Sequence, residues 1–308
     1  MMIYNKHNFE PGQVLKAQDL NEMEDGIVSA TGALNLLDNS YFERMSEIVN
    51  QRGFVSGNSV SSWEYFIDRW INTSDSARVF TLTDNGMVLE ADTTLCQKLE
   101  GVKSGTVLTF AACMSDGTIA TATGTVTYNS DNSWLRLASR SFDGFELYID
   151  TYAGLLQAIV YTRSNAELKW AALYEGEYTA ENIPTYMPKG YATELFACQR
   201  YYENSWFKVG KTQLLQILGT AWSNQRYDCP IYFKQTKRTW PTMTYYPSAN
   251  RTTIQGYING VYRDVTVDSS EKRFGLSGMY ARVKTEQTDL SVGYTYQFHA
   301  HWEASADL

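Results

Sequence analysis

The chain is expected to be mainly β, with an α-helical, coiled-coil-like segment in front and two β domains behind it. Three observations predict this. Apolar residues in the first fifty positions advance by threes and fours; from Phe54 onward the spacing falls to two; and 22 Tyr and 8 Trp accompany a charged fraction of only 19%. The last balance suits strands whose surfaces carry aromatic rings.

Taken as heptads, Leu20, Ile27, Leu34, Tyr41 and Ile48 occupy a positions and Met23, Ala30 and Leu37 occupy d positions, with Arg44 breaking the fourth repeat. So narrow a seam is buried only by other helices. Residues 1–52 are therefore expected to be an oligomerisation and attachment segment, joined through Leu20, Met23, Ile27, Leu34, Leu37, Tyr41 and Ile48. A helical hairpin folded onto its own chain is the alternative. Gly26 and Gly32 each weaken a long helix by about 1 kcal/mol relative to Ala, and Ser40-Tyr-Phe-Glu43 has the form of a capping box that starts a new helix.

Behind this segment come strand-like runs at Trp63 to Ile71, Arg78 to Thr83, Met87 to Ala91, Leu95 to Leu99, Thr106 to Met114, Thr121 to Tyr128, Ser133 to Ala138, Phe145 to Ile149, Leu155 to Tyr161 and Leu168 to Tyr174. Asp84-Asn-Gly86, Asp116-Gly117, Asp131-Asn132 and Asp143-Gly144 supply turns between them. Ten short strands fit a two-sheet sandwich, and Leu108, Phe110, Ala112 and Met114 alternate with Thr109, Ala111 and Cys113 as core and polar faces. Pro184, Pro188 and Gly190 make Glu175 to Gly190 a boundary or a strap across the sandwich. A helical turn near Thr193 to Cys198 then leads into a second β domain. Its clearest element is a hairpin, in which Asn259-Gly260 provides the two positive φ angles of a type I′ turn. Strands from Arg273 to Thr285 and Ser291 to Trp302 carry the chain to its end.

Charge and composition exclude some functions. With 26 basic and 34 acidic residues mixed along the chain, the net charge of −8 makes nucleic acid an unsuitable partner. Cys96, Cys113, Cys198 and Cys229 lack zinc-ligand spacing and are expected as buried free thiols. No leader-like or membrane-spanning apolar run occurs, so synthesis in the cytoplasm without a signal peptide or membrane insertion is expected.

Several phrases resemble a known family. Asn8-Phe-Glu-Pro-Gly-Gln-Val-Leu-Lys-Ala-Gln-Asp-Leu-Asn-Glu-Met-Glu-Asp-Gly-Ile27 is similar to the opening of bacteriophage and prophage tail and baseplate proteins. Trp63-Glu-Tyr-Phe-Ile-Asp-Arg-Trp70 and Leu168-Lys-Trp-Ala-Ala-Leu173 resemble the first and closing strands of a tail-fibre jelly roll. Glu194-Leu-Phe-Ala-Cys-Gln-Arg-Tyr-Tyr-Glu203 resembles the junction that follows it, and the ending from Tyr294 to Leu308 is similar to the terminal strand of such fibres. The resemblance implies a homotrimeric tail fibre or receptor-binding protein of the virion. Residues 1–52 would attach it to a baseplate or tail protein, 53–190 would form a carbohydrate-binding-module-like jelly roll, and 191–308 a C-terminal β-sandwich that meets a host-surface glycan. A structural baseplate or connector protein without host contact is the alternative reading.

Sugar recognition calls for aromatic faces flanked by groups that satisfy hydroxyls. Asp131 with Trp134, and Trp222, Asn224, Arg226 and Tyr227 with Tyr246, are the candidates. Tyr245, Tyr257 and Tyr262 are possible additions, although cross-strand pairing explains the last two equally well. His299 and His301 lie two apart on one strand, where a threefold axis would gather their imidazoles around a metal; packed or solvent-facing histidines are the commoner outcome. No carboxylate pair, nucleophile motif or phosphate loop suggests catalysis, and neither cofactor nor metal is expected.

Overall fold

The computed structural model describes residues 34–206, 215–247, 251–268 and 274–308, and the fold is mainly β. By compactness the chain divides into two units after Tyr191. Among the described residues no helix is long and apolar enough to cross a membrane.

The first unit places two six-stranded antiparallel sheets on either side of one core. One sheet has the spatial order β1 (Ser59–Val60), β4 (Arg78–Leu82), β5 (Met87–Leu89), β12 (Ala166–Glu175), β7 (Val107–Met114), β8 (Ile119–Thr125). The other has the order β2 (Glu64–Ile67), β3 (Trp70–Asn72), β6 (Thr94–Leu99), β11 (Leu155–Thr162), β10 (Phe145–Tyr152), β9 (Leu135–Ser141). Phe80, Leu108, Phe110 and Leu173 from the first meet Ile67, Trp70, Leu95, Ile149 and Val160 from the second in a single buried cluster. Period-two alternation builds it: each strand commits one face to the core and leaves the other for different work. The run from Trp63 to Ile71 is a hairpin, not one strand, because Asp68-Arg69 turns the chain, with Arg69 at φ 76.

The expected helix does not extend over residues 34–52. Only a 3-10 turn, Met45–Glu47, is helical there. Instead the chain runs beside β12: the Leu36 N–H donates to the Leu173 carbonyl, the Phe42 N–H to Lys169 and the Ala171 N–H to Ser40. Asn35 accepts the N–H groups of Leu37 and Leu173, and Asn39 bonds Val49 in both directions. Leu37 and Ile48 are buried in this unit's own core, and Tyr41 stacks on Tyr186, so none of the three is available to a seam between helices. Leu34 is 73% exposed in irregular chain. The physical reason is that Asn35, Leu37 and Asn39 alternate inward at period two, a pattern that the a and d positions overlap over so short a window. Leu20, Met23, Ala30 and Ile27 lie outside the described residues.

The outer face of the first sheet is not polar as expected. Ala111, Cys113, Trp170, Ala172 and Tyr174 form a second small core there, covered by Tyr178, Ile183 and Tyr186 from the segment after β12. Trp170 and Tyr186 stack at 4.7 Å between ring centroids. All four cysteines are buried and free, and burial pushes the Cys96 thiol up to about 12.

The second unit opens with helix α1 (Tyr191–Gln199) and continues as a single ten-stranded sheet curled round one core, where the sequence suggested a second sandwich. Its spine is β22 (Thr295–Ser305). The main path runs β18 (Val261–Asp264), β17 (Gln255–Ile258), β22, β14 (Ile217–Ala221), β15 (Arg226–Tyr232), β21 (Gly278–Lys284), β19 (Thr266–Val267). Strands β13 (Tyr202–Asn204) and β16 (Thr242–Pro247) pair with the far half of β22, and β20 (Phe274–Gly275) with β21. Tyr296, Phe298, Ala300, Trp302 and Ala304 turn into the core from one face of the spine. The hairpin at Asn259-Gly260 forms with φ angles of 50 and 83. Between α1 and the sheet, Lys237 donates to Glu203 at 2.8 Å and to the Gln199 carbonyl, all buried.

Candidate functional site

Each unit carries the same local arrangement: an exposed tryptophan whose indole N–H is fixed by an aspartate that an arginine also grips. In the first unit Trp134 Nε1 donates to Asp150 Oδ2 at 3.1 Å. Arg136 donates to the two oxygens of Asp150 at 2.5 and 3.2 Å. Its guanidinium lies 4.9 Å from the Trp134 ring and 3.6 Å from the Tyr148 ring, so ring, cation and ring form one stack. Trp134 nevertheless remains 53% exposed.

A bulge sets this up. Ile149 pairs with Ala138 but Asp150 pairs with Arg136, so Leu137 is the extra residue in β9. Without it, alternation from the buried Ala138 would point Arg136 inward; with it, Leu137 packs on the core and Arg136 faces out. Burial raises the pKa of Asp150 above the ordinary carboxylate value, while the bonds from Arg136 and the indole oppose the rise.

Asp150 belongs to an outer face arranged in rows. The strand register aligns Lys98, Gln157, Asp150 and Arg136 across β6, β11, β10 and β9. Beside them run Tyr65, Ile71, Cys96, Ile159, Tyr148 and Ser139, where Ile71, Cys96 and Ile159 are buried and the two tyrosines half-buried over them. A third row holds Thr94, Tyr161, Glu146 and Ser141, with Glu146 bonded by Arg163 and the Tyr148 hydroxyl. An apolar strip thus lies between two polar rows.

In the second unit Trp222 Nε1 donates to Asp228 Oδ1 at 3.1 Å, and Arg282 donates to both oxygens of Asp228 at 3.0 and 3.3 Å. The Arg282 guanidinium lies 4.5 Å from the Trp222 ring and that of Arg226 lies 5.7 Å away, the latter also meeting Asp268 at 3.6 Å. Trp222 is 42% exposed. Asn224 is exposed in the turn that carries Trp222 towards β15, where its carbonyl accepts the Leu290 N–H.

Other expected site residues lie elsewhere. Tyr227 is buried in the core with its hydroxyl on the Gln297 carbonyl, because the residue beside each outward Asp or Arg on β15 must point inward. Tyr246 donates to Glu303 and meets Trp206 edge-on, apart from the Trp222 cluster. Asp131 caps its own turn by accepting the Ser133 N–H, which holds its carboxyl below the usual range. Tyr257 and Tyr262 pair across their hairpin at 4.9 Å. His299 and His301 are buried on β22, with Nε2 of the first 3.0 Å from Gln297 and Nδ1 of the second 3.1 Å from Ser205. Among the described residues no group of three His, Cys, Asp or Glu side chains is placed to hold a metal ion.

Sequence reasoning found both tryptophans and missed Asp150 and Arg282, which come from strands distant in sequence. The one local signal was Trp134-x-Arg136, two residues apart where the chain enters β9. No protein-family model, no curated protein and no solved structure matches the chain.

Proposed function

We propose that this protein is a tail-fibre-type receptor-binding protein of a phage or prophage, which attaches to host-surface glycan through the Trp134 and Trp222 platforms. The observation that carries the reading is the repetition of the Trp–Asp–Arg arrangement in two differently folded units. An indole in solvent is costly to hold rigid, and here each ring is fixed on its polar edge and left open on much of its surface. That geometry suits the C–H face of a sugar, with guanidinium and carboxylate edges near its hydroxyls. The similarity of the opening, junction and ending phrases to tail proteins supplies the biological setting, and the two-sheet order of the first unit is compatible with the jelly roll of such fibres.

Three copies joined through the apolar stripe of Leu20, Met23 and Ile27 complete the proposal. A single-platform affinity near 1 mM corresponds to about −4 kcal/mol, too weak alone to hold a virion, and copies on one body raise the effective affinity by roughly 10²- to 10⁴-fold. A glycan array probed with the parent chain, Trp134→Ala and Trp222→Ala tests the reading. The parent should bind a defined glycan set, and loss of a platform should cost about 2 kcal/mol, roughly thirtyfold, on glycans that use it. Identical profiles for all three chains would contradict it.

A further inference from the structure

We infer that the outer face of the β2-β3-β6-β11-β10-β9 sheet binds a linear polysaccharide segment laid across its strands, with Trp63 as a second ring platform and Gln157 as the central hydrogen-bonding group. The inference rests on the sugar-binding reading of Trp134 and extends it from one ring to a chain.

Gln157 is the first reason. Its residue is 8% exposed, its side-chain amide bonds no described residue, and the amide atoms still reach the surface of the row. An amide whose polar atoms reach the surface in the middle of a polar row, unspent on the protein, is open to a group from outside. An amide offers both donors and an acceptor, which matches the dual character of a sugar hydroxyl. On one side of it in the row stands Asp150 with Arg136, on the other Lys98.

Trp63 is the second reason. It is 66% exposed and takes a positive φ of 62, a conformation that bulky residues rarely adopt, while its backbone N–H is held by the Asn72 carbonyl at 2.6 Å. The Lys98 ammonium lies 5.9 Å from its ring, as Arg136 lies 4.9 Å from Trp134. Each end of the row is therefore a cation against an open indole. Three strand spacings separate Lys98 from Arg136, about 14 Å, the reach of a short run of sugar rings.

The chemistry of this face selects the occupant. Ile71, Cys96 and Ile159 are sealed, so no apolar pocket awaits the side chains of a protein partner. Arg136 and Asp150 neutralise each other, so the row is not built for a polyanion. What remains accessible is ring faces, an amide and hydrogen-bonding edges in a line.

The test is calorimetric titration of the full chain with oligomers from monosaccharide to hexasaccharide of β-linked glucose, α-linked glucose and N-acetylglucosamine, alongside a linear host-surface polysaccharide. The variants are Trp63→Gly, which also removes the backbone strain, Gln157→Leu, of similar size, and Trp134→Ala, with thermal unfolding as the fold check. Affinity for the preferred ligand should climb with length, Trp63→Gly should weaken the longest ligand about tenfold while leaving the disaccharide unchanged, and Gln157→Leu should weaken the longest ligand about tenfold. Length-independent affinity, or unaltered long-ligand binding in Trp63→Gly and Gln157→Leu, overturns the inference; if Trp134→Ala still loses binding, the single-platform reading stands. Failure of the parent chain to bind any of these ligands overturns both.

Discussion

Asp150 shows how a single residue holds a platform and what that costs. It lies almost wholly buried, bonded by Trp134 and Arg136, so its ionised form depends on Arg136 for compensation. Replacing Arg136 by Met is expected to raise the Asp150 pKa further, read by NMR titration of the side-chain carboxyl. For an acid whose folded pKa is raised, stability is greatest below the unfolded value, near 3.9, and declines as pH climbs to the folded value. The variant should extend that decline to higher pH and release the Trp134 ring; an unmoved or lowered pKa would show that Arg136 does not compensate the charge. Trp63 makes a second case, since relieving its positive φ with Gly should stabilise the first unit by about 1 kcal/mol in urea unfolding, whereas a loss would mean that the ring packs after all. At this scale the sequence revealed the rings but not their supports. Trp134 and Asp150 are 16 residues apart and Asp228 and Arg282 are 54 apart, and only strand register unites them.

Elements were legible where local chemistry decides and illegible where tertiary pairing does. Asn259-Gly260 fixes a hairpin by its own φ preferences, and the alternation of Leu108 to Met114 placed β7 against the core. The stretch from Asn35 to Ile48 misled because its amides, which break a helix by bonding nearby backbone, spend those bonds on β12 and on Val49. On β22 the buried His299 yields a pH prediction. Burial first, and Arg251 second, hold its pKa below that of an ordinary histidine; Tyr262 meets its ring edge-on and Gln297 bonds it. It is neutral when folded and protonates on unfolding, so the stability it contributes is complete above about pH 6.5 and is lost as pH falls below that value. Unfolding midpoints of the parent should therefore drop between pH 6.5 and 5 more steeply than those of His299→Gln; parallel curves would contradict this. The Lys237–Glu203 pair predicts a different outcome. Lys237→Met alone leaves a buried carboxylate and should cost about 3–5 kcal/mol, while adding Glu203→Gln should restore most of it, as judged by urea unfolding.

Across the whole molecule the mainly β character followed from composition and period two, because both report on strands directly, whereas the single curled sheet of the second unit did not, since alternation is the same in a sandwich and in a curled sheet. Two units of different topology each present a pinned indole, so the proposed function rests on grafted sites more than on either fold. In the proposed reading these two platforms hold the protein on host-surface sugar. Its most direct test is co-sedimentation of the full chain with host envelope polysaccharide, comparing the parent with Trp134→Ala/Trp222→Ala. The account predicts that the parent pellets with the polysaccharide, that free polysaccharide fragments release it, and that the double variant stays in the supernatant while unfolding at the parent's temperature. Equal sedimentation of the two folded chains would contradict it.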